Sequence, residues 1–241
     1  MVLEVKDAIK KARQALKRED FAAALAAFTE AETHFLSLSD PPPGLEGLYF
    51  EWAHALQKAG QPDQALKKMS TYLESLTELN PDLQVRIQYL LAQSHYDYAR
   101  QLQNHTPDLA HQHFHKALGY HGLNPFQRAD AFYQQGVVLM TLSKYDAAFA
   151  SLESALAGFQ EQQESFWAGM TRLKMGMLYL MQEKVEQAME SAQSVIQALE
   201  GEPRSGEQAV LMTAYELMYE LSRYQRDEAG ALFWKEKMTS G

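Results

Sequence analysis

Five histidines lie close together in the stretch "NHTPDLAHQHFHKALGYHG": His105, His111, His113, His115 and His121. Asp108, His111 and His115 follow an i, i+3, i+7 spacing, which places them on one face of a helix. Two histidines four residues apart on a helix can ligate a divalent metal ion. Metal binding is therefore the chemistry that this stretch suggests first.

The apolar residues of the same stretch favour a different interpretation. Ala110 and Phe114 define the buried side of the predicted helix, which leaves His111 and His115 on the side that faces solvent. The metalloprotease pattern H-E-x-x-H is absent. We predict no metal site and no cofactor, and the sequence leaves open whether the cluster from His105 to His121 binds metal.

No other motif requires catalysis. The sequence contains no glycine-rich phosphate loop, no G-x-S-x-G elbow and no cysteine. Carboxylates are scattered among lysines, as in "EKVEQAME", which is typical of solvated helix faces. We predict no catalytic residues and expect that the protein is not an enzyme.

Charge and hydropathy argue against a nucleic-acid partner and against a secreted or membrane-spanning protein. The 22 Lys and Arg against 31 Asp and Glu give a formal net charge of −9, which argues against nucleic-acid binding. The first residues, "MVLEVKDAIKKARQAL", carry charges where a secretory signal would be apolar, and no run has the roughly 18 apolar residues of a membrane span. We expect a cytoplasmic protein without membrane insertion.

The elements that position these residues are predicted to be helices throughout. Helical spacing recurs along the chain, broken by short turn-forming stretches, of which 37–47 and 201–208 are the clearest. Asn80, Thr106 and Asn124 each precede a proline and are predicted helix caps, and Ser143 is predicted to cap "KYDAAFASL". We predict about twelve helices.

Small residues recur in these helices at a regular period. The first alanine of each copy of the pattern lies 41, 45, 38, 40 and 41 residues after the one before, at Ala24, Ala65, Ala110, Ala148, Ala188 and Ala229. Twelve residues before four of these alanines lies a second small residue: Ala12, Ala53, Gly136 or Gly176. In the third copy Ala92 lies eighteen residues before, and in the sixth Leu217 takes the place. Two antiparallel helices pack closely when small residues meet at their contact point, so the pattern predicts a solenoid of helical hairpins.

The pattern resembles the tetratricopeptide repeat family, most clearly in "AFYQQGVVLMTLSKYDAAFASLESAL" and "RLKMGMLYLMQEKVEQAMESAQ". The period near 40 is similar to the longer repeats of bacterial transcriptional and peptide-sensing regulators. The resemblance implies an all-α, right-handed superhelical solenoid of about six antiparallel helix-turn-helix repeats, forming one domain over residues 1–241. The approximate repeats are 3–38, 45–79, 82–121, 125–160, 164–200 and 206–239. HEAT-like helical repeats are the structural alternative.

In that family the first helix of each repeat lines the concave surface of the superhelix. Transferred to this chain, the resemblance implies a partner-binding groove of Tyr89, Gln93, Tyr96, Tyr133, Val137, Met140, Met170, Leu173, Met177, Met181, Tyr215 and Met218. The methionines favour an apolar or amphipathic partner segment, bound most strongly over the last three repeats. The alternative is that these side chains fill the core.

The function we predict is that of a non-catalytic protein–protein interaction scaffold whose partner is another protein or peptide. The alternative is a signal- or peptide-sensing regulatory domain of a bacterial transcription or signalling system. On the last helix Ala229 and Phe233 are predicted to face the core, which turns Trp234 and Met238 outward. These two residues are the predicted surface of a homodimer.

Overall fold

The computed structural model describes residues 2–38, 47–75, 81–200 and 206–240. In these residues the chain forms twelve α-helices and no strand. They are α1 (Val2–Lys17), α2 (Phe21–Leu36), α3 (Gly47–Lys58), α4 (Pro62–Ser75), α5 (Pro81–Leu102), α6 (Pro107–Gly119), α7 (Pro125–Thr141), α8 (Tyr145–Glu161), α9 (Ser165–Met181), α10 (Val185–Leu199), α11 (Glu207–Tyr224) and α12 (Glu228–Ser240). The predicted all-α helical fold is confirmed.

Consecutive helices pack in pairs, α1 with α2 through to α11 with α12. We call the first helix of each pair an A helix and the second a B helix. The chain divides into two compact units, unit 1 (Met1–Leu123) and unit 2 (Asn124–Gly241). In unit 1 the A helices α3 and α5 touch each other, and in unit 2 α9 touches both α7 and α11. The single domain, the handedness, the repeat number and the period stay predictions.

The recurrent small residues lie inside the helix pairs, as the packing argument requires. Ala148 and Ala188 have no solvent exposure, and Gly136 and Gly176 are buried. A Cβ atom on Gly136 would lie 2.8 Å from Cγ and Cδ2 of Leu152 on the facing helix. The backbone of α7 therefore approaches α8 more closely than a larger residue allows.

The connection between an A helix and its B helix repeats almost unchanged along the chain. The N–H groups of Asp20, Lys144 and Lys184 each donate to the carbonyl five residues earlier, at 3.0, 2.9 and 2.9 Å. The residue before each of them, such as Ser143 or Glu183, has a positive φ of 56–62°. This is the Schellman-type end of a helix, which reverses the chain within three residues. Between α3 and α4 a glycine, Gly60, takes the positive-φ position, whereas other turns place a serine or a glutamate there, so the motif was hard to predict from sequence.

The predicted helix caps have mixed outcomes. Asn124 forms a full capping box, because the backbone N–H of Gln127 donates to its Oδ1 at 2.8 Å and Gln127 Oε1 accepts from its N–H at 3.1 Å. The Thr106 side chain makes no capping bond. The prediction for Ser143 is wrong, because this residue has the left-handed backbone conformation of the turn, and Lys144 occupies the N-cap position before α8 begins at Tyr145. Asn80 lies outside the described residues, as does most of both predicted breaks.

The prediction for α12 was out of register. Asp227 donates its backbone N–H to Ser222 O in the same turn as Asp20 and Lys184, and its Oδ1 accepts from Gly230 N–H at 3.0 Å. Ala24 and Ala188 each lie four residues after the corresponding turn residue, Asp20 or Lys184. The residue four positions after Asp227 is Ala231, and not the predicted Ala229. Ala229 is exposed, and so is the adjacent face of the helix.

Candidate functional site

A cavity of about 520 Å³ opens on the A-helix side of unit 1. Its walls come from α1, α3 and α5 and are mostly apolar: Leu16, Phe50, Glu51, His54, Val85, Arg86, Tyr89 and Leu90. Val85 and Tyr89 remain 67% and 51% exposed, although their neighbours Ile87 and Leu90 are buried. Alternate faces of α5 thus serve the core and the cavity. We call this feature the unit 1 cavity.

The rim of the unit 1 cavity is cationic. Arg13 Nε donates to Glu51 Oε2 at 2.8 Å; this bond raises the pKa of the arginine, whose positive charge offsets that of the carboxylate. The guanidinium carbon of Arg86 lies 4.7 Å from the centre of the Phe50 ring. Partial desolvation, together with the charges of Lys58 and Arg86, lowers the pKa of His54. The imidazole is therefore neutral at pH 7, and the positive charge resides on the arginine and lysine.

Of the three groove residues predicted in unit 1, the structure exposes Tyr89 alone. Gln93 is 7% exposed, and its Nε2 donates to Gly122 O at 3.0 Å. Tyr96 is buried, with its ring edge-on to Phe114. A Cβ on Gly122 would lie 2.4 Å from Tyr89 Cα. The segment after α6 therefore crosses directly over α5 and covers the helix face that the prediction left open.

Four of the nine groove residues predicted in unit 2 belong to the core: Tyr133, Leu173, Tyr215 and Met218. Burial, with Asp130 adding to it, raises the pKa of Tyr133 to about 12. Tyr215 stacks on Trp234 with ring centres 5.8 Å apart. A partner cannot reach these side chains while the helices stay packed, because all four are at most 6% exposed.

The other five predicted residues of unit 2 retain contact with solvent: Val137, Met140, Met170, Met177 and Met181. Met181 is 49% exposed, and the rest are partly buried against the two apolar clusters of the unit. We call these five residues the unit 2 methionine surface. The sequence pattern identified its residue types, but it did not separate them from the core residues beside them.

The sequence did not predict that His113 pairs with a histidine of another helix. His95 of α5 and His113 of α6 face each other with their Nδ1 atoms 2.8 Å apart, so one of the two carries the shared proton. Tyr120 stacks on His95, and Tyr98 lies edge-on to His113. Burial and the neighbouring charges of His113 and Lys116 lower the pKa of His95 to about 4. The pKa of His113 is lowered too, by burial and Lys116.

The histidines that suggested metal binding do not converge. His115 is exposed and His111 is partly buried, while His113 points to α5. Among the described residues, no group of three or more His, Asp or Glu side chains is arranged to hold a metal ion. Sequence spacing placed these residues on one helix, but it carried no sign of the His95 partner on the helix before.

The predicted homodimer residues of α12 point inward. Trp234 and Met238 pack against the core cluster of unit 2, and Lys237 Nζ donates to Glu200 at 2.6 Å. The prediction that they face outward is wrong, because Asp227 caps the helix and the resulting register places Trp234 on Tyr215 and Met238 against the same cluster. The outward side chains are Leu232 and Phe233, 60% and 48% exposed.

The described helices differ in length and in their content of charged residues. None combines the length and the apolar character needed to cross a membrane.

Similar proteins were found by structure and not by sequence. No protein-family model and no curated protein matches the chain. A solved structure of a Podosopora anserina protein with nearly identical TPR-like repeats superposes with a TM-score of 0.54 at 16% identity, covering 80% of this chain and 92% of that one. BtubC (BKLC) from P. vanneervenii has a TM-score of 0.52 at 18% identity, covering 98% and 89%. The MamA protein has a TM-score of 0.51 at 14% identity, covering 82% and 92%.

Proposed function

We propose that this chain, which has the fold of tetratricopeptide-repeat proteins, is a non-catalytic scaffold that binds a segment of a partner protein on its A-helix side. The observation that carries the proposal is the unit 1 cavity. It is large enough for bulky apolar side chains. Val85 and Tyr89 line it and remain largely exposed to solvent, so these apolar side chains do not serve the core of unit 1.

The chemistry of the cavity favours an apolar or amphipathic partner segment. Among its lining residues Phe50 is only partly buried, and covering its ring with an apolar partner segment would remove further apolar surface from water and so favour binding. Arg86 at the rim has its guanidinium on the Phe50 ring and no carboxylate partner among the described residues. The unit 2 methionine surface supports a second contact, since methionine adapts to ligands of varied shape.

We also propose self-association, through residues other than those first predicted. Phe149 follows Ala148 on α8 and contacts Tyr179 of the next A helix, with ring centres 5.0 Å apart. Leu232 occupies the equivalent position on α12, directly after Ala231. No described helix packs over Leu232, which is 60% exposed. A second copy would bury Leu232 and Phe233.

Partner capture from an extract of the producing cells tests the scaffold function. We expect Val85→Glu to abolish capture of the main partner, because a carboxylate at the cavity mouth cannot be buried against apolar side chains without a large desolvation cost. Quantitative mass spectrometry of the proteins retained by immobilised wild type and variant is the measurement.

Leu36→Glu is the matched control, since Leu36 on α2 is 70% exposed and does not line the unit 1 cavity. It should retain the partner at the wild-type level. Equal retention by wild type, Val85→Glu and the control would contradict the proposed site.

A further inference from the structure

Arg172 of α9 lies between two neighbouring cavities of unit 2. The larger, of about 530 Å³, is bounded by α8, α9, α10 and the start of α11. The smaller, of about 280 Å³, is bounded by α8, α9 and α10. Arg172 lines both, and the α9 residues that line them run from Ser165 to Tyr179, about 21 Å along the helix. We call the two cavities together the α8–α10 groove.

Arg172 makes no direct contact with a carboxylate among the described residues. Its side chain is partly buried, yet it has no ion pair, hydrogen bond or ring contact within the described ranges. Other cations of the chain do pair, as Lys68 does with Glu32 at 2.8 Å. A partly desolvated guanidinium without a counter-charge costs free energy, which an anion from outside would recover.

Carboxylates occupy both ends of the α8–α10 groove. Glu164 and Glu207 line the larger cavity, and Glu190 lines the smaller one. Glu207 is buried and accepts a hydrogen bond from the Ser165 hydroxyl. Glu164 precedes Arg172 by eight residues, about 12 Å along α9. An extended chain covers that distance in three to four residues.

The walls also offer hydrogen-bonding groups for a peptide backbone. Gln160 and Gln163 line the larger cavity, and Gln187 lines the smaller. Within the residues that the structure describes, none of the three amides forms a hydrogen bond. Each can donate and accept, as an extended backbone requires.

We propose that the α8–α10 groove binds an extended peptide segment with an Asp or Glu seated on Arg172 and a Lys or Arg about three residues to either side. The guanidinium offers a planar fork that matches a carboxylate, and the flanking cations meet Glu164 and Glu190. This surface is separate from the unit 1 cavity and from the unit 2 methionine surface, so either binding activity can fail without the other.

A pair of labelled peptides tests the proposal on the full chain. We expect fluorescein-labelled acetyl-KAAEAAK-amide to bind saturably in low salt by fluorescence anisotropy, and acetyl-KAAQAAK-amide to bind at least tenfold more weakly. General attraction to a chain of net charge −9 predicts the opposite order, because the glutamine peptide is the more positive of the two.

Variants of α9 assign the effect to one side chain. Arg172→Met keeps an apolar stem. It should raise the Kd of the glutamate peptide at least tenfold and leave the Kd of the glutamine peptide nearly unchanged. Lys174→Met removes the same charge from a side chain that leaves α9 about 200° away and should change neither Kd. Circular dichroism verifies folding, and Arg172→Lys, which keeps the charge but loses the fork, should bind with intermediate affinity.

Three results would overturn the proposal. They are equal affinity of wild type and Arg172→Met for the glutamate peptide, tighter binding of the glutamine peptide by wild type, and no saturable binding of either peptide at millimolar concentration. In the last case Arg172 is satisfied by solvent alone.

Discussion

At the scale of single residues, His95 lies in surroundings that oppose its protonation. Its ring is 7% exposed, between Tyr120 and His113. Burial, His113 and Lys116 all oppose its protonation, and no carboxylate counteracts them by raising its pKa. The site therefore favours the neutral imidazole, which shares one proton with His113.

This environment predicts a loss of stability in mild acid. Between pH 6.5 and 4 the unfolded chain binds a proton at His95 that the folded chain does not, so the free energy of unfolding falls as the pH falls. A pKa lowered from 6.5 to about 4 corresponds to about 3 kcal/mol over that range. Urea unfolding of wild type and His95→Gln at pH 7 and pH 5 measures the effect.

The variant should lose less stability between the two pH values than wild type does. His121→Gln, at an exposed histidine, is the control and should behave as wild type. The same pH dependence in all three proteins would show that His95 does not titrate as its burial implies.

At the scale of elements, the close approach of A and B helices depends on the local shape of the facing side chains. At Gly136 a Cβ would meet the branch point of Leu152 at 2.8 Å. At Gly176 the nearest atoms are Leu217 Cδ2 at 3.1 Å and Ser191 Cβ at 3.2 Å. The two glycines occupy equivalent places, but the first pair of helices has less room.

Alanine substitution is expected to change the free energy of unfolding differently at these two glycines. Alanine favours a helix over glycine by about 1 kcal/mol, whereas overpacking costs about 1–3 kcal/mol. We therefore expect Gly136→Ala to lower the free energy of unfolding and Gly176→Ala to leave it unchanged or raise it. Chemical denaturation measures both, and a loss of stability at Gly176 equal to that at Gly136 would contradict the packing account.

At the scale of the whole molecule, charge and exposed apolar surface act in opposite directions. The net charge of −9 keeps copies of the chain apart. Leu232 and Phe233 on α12 form an apolar face that water solvates poorly. Association through this face should therefore depend on salt as well as on concentration.

Light scattering over a range of concentrations tests self-association. We expect the mean mass of wild type to rise with concentration and to rise further with salt, because ions screen the repulsion between copies. Phe233→Lys should stay monomeric throughout, whereas Lys235→Ala on the same helix should behave as wild type. A wild-type protein that is monomeric under all conditions would exclude the α12 interface.

The sequence by itself determined the helical class, the order of the helices and the small residues at their contacts. Gly136, Ala148, Gly176 and Ala188 were predicted to be buried because helix periodicity is a local property of the chain. The capping box at Asn124 was predictable for the same reason, since its atoms lie three residues apart.

Only the tertiary structure decided which side chains of the A helices remain accessible. Tyr89 and Tyr96 lie on the same helix with similar side chains, but the second packs against Phe114 and the first borders a cavity. The pairing of His95 with His113, and the position of Arg172 between α8 and α10, likewise join residues of different helices. Burial and pairing depend on neighbours distant in sequence, which a helical period cannot specify.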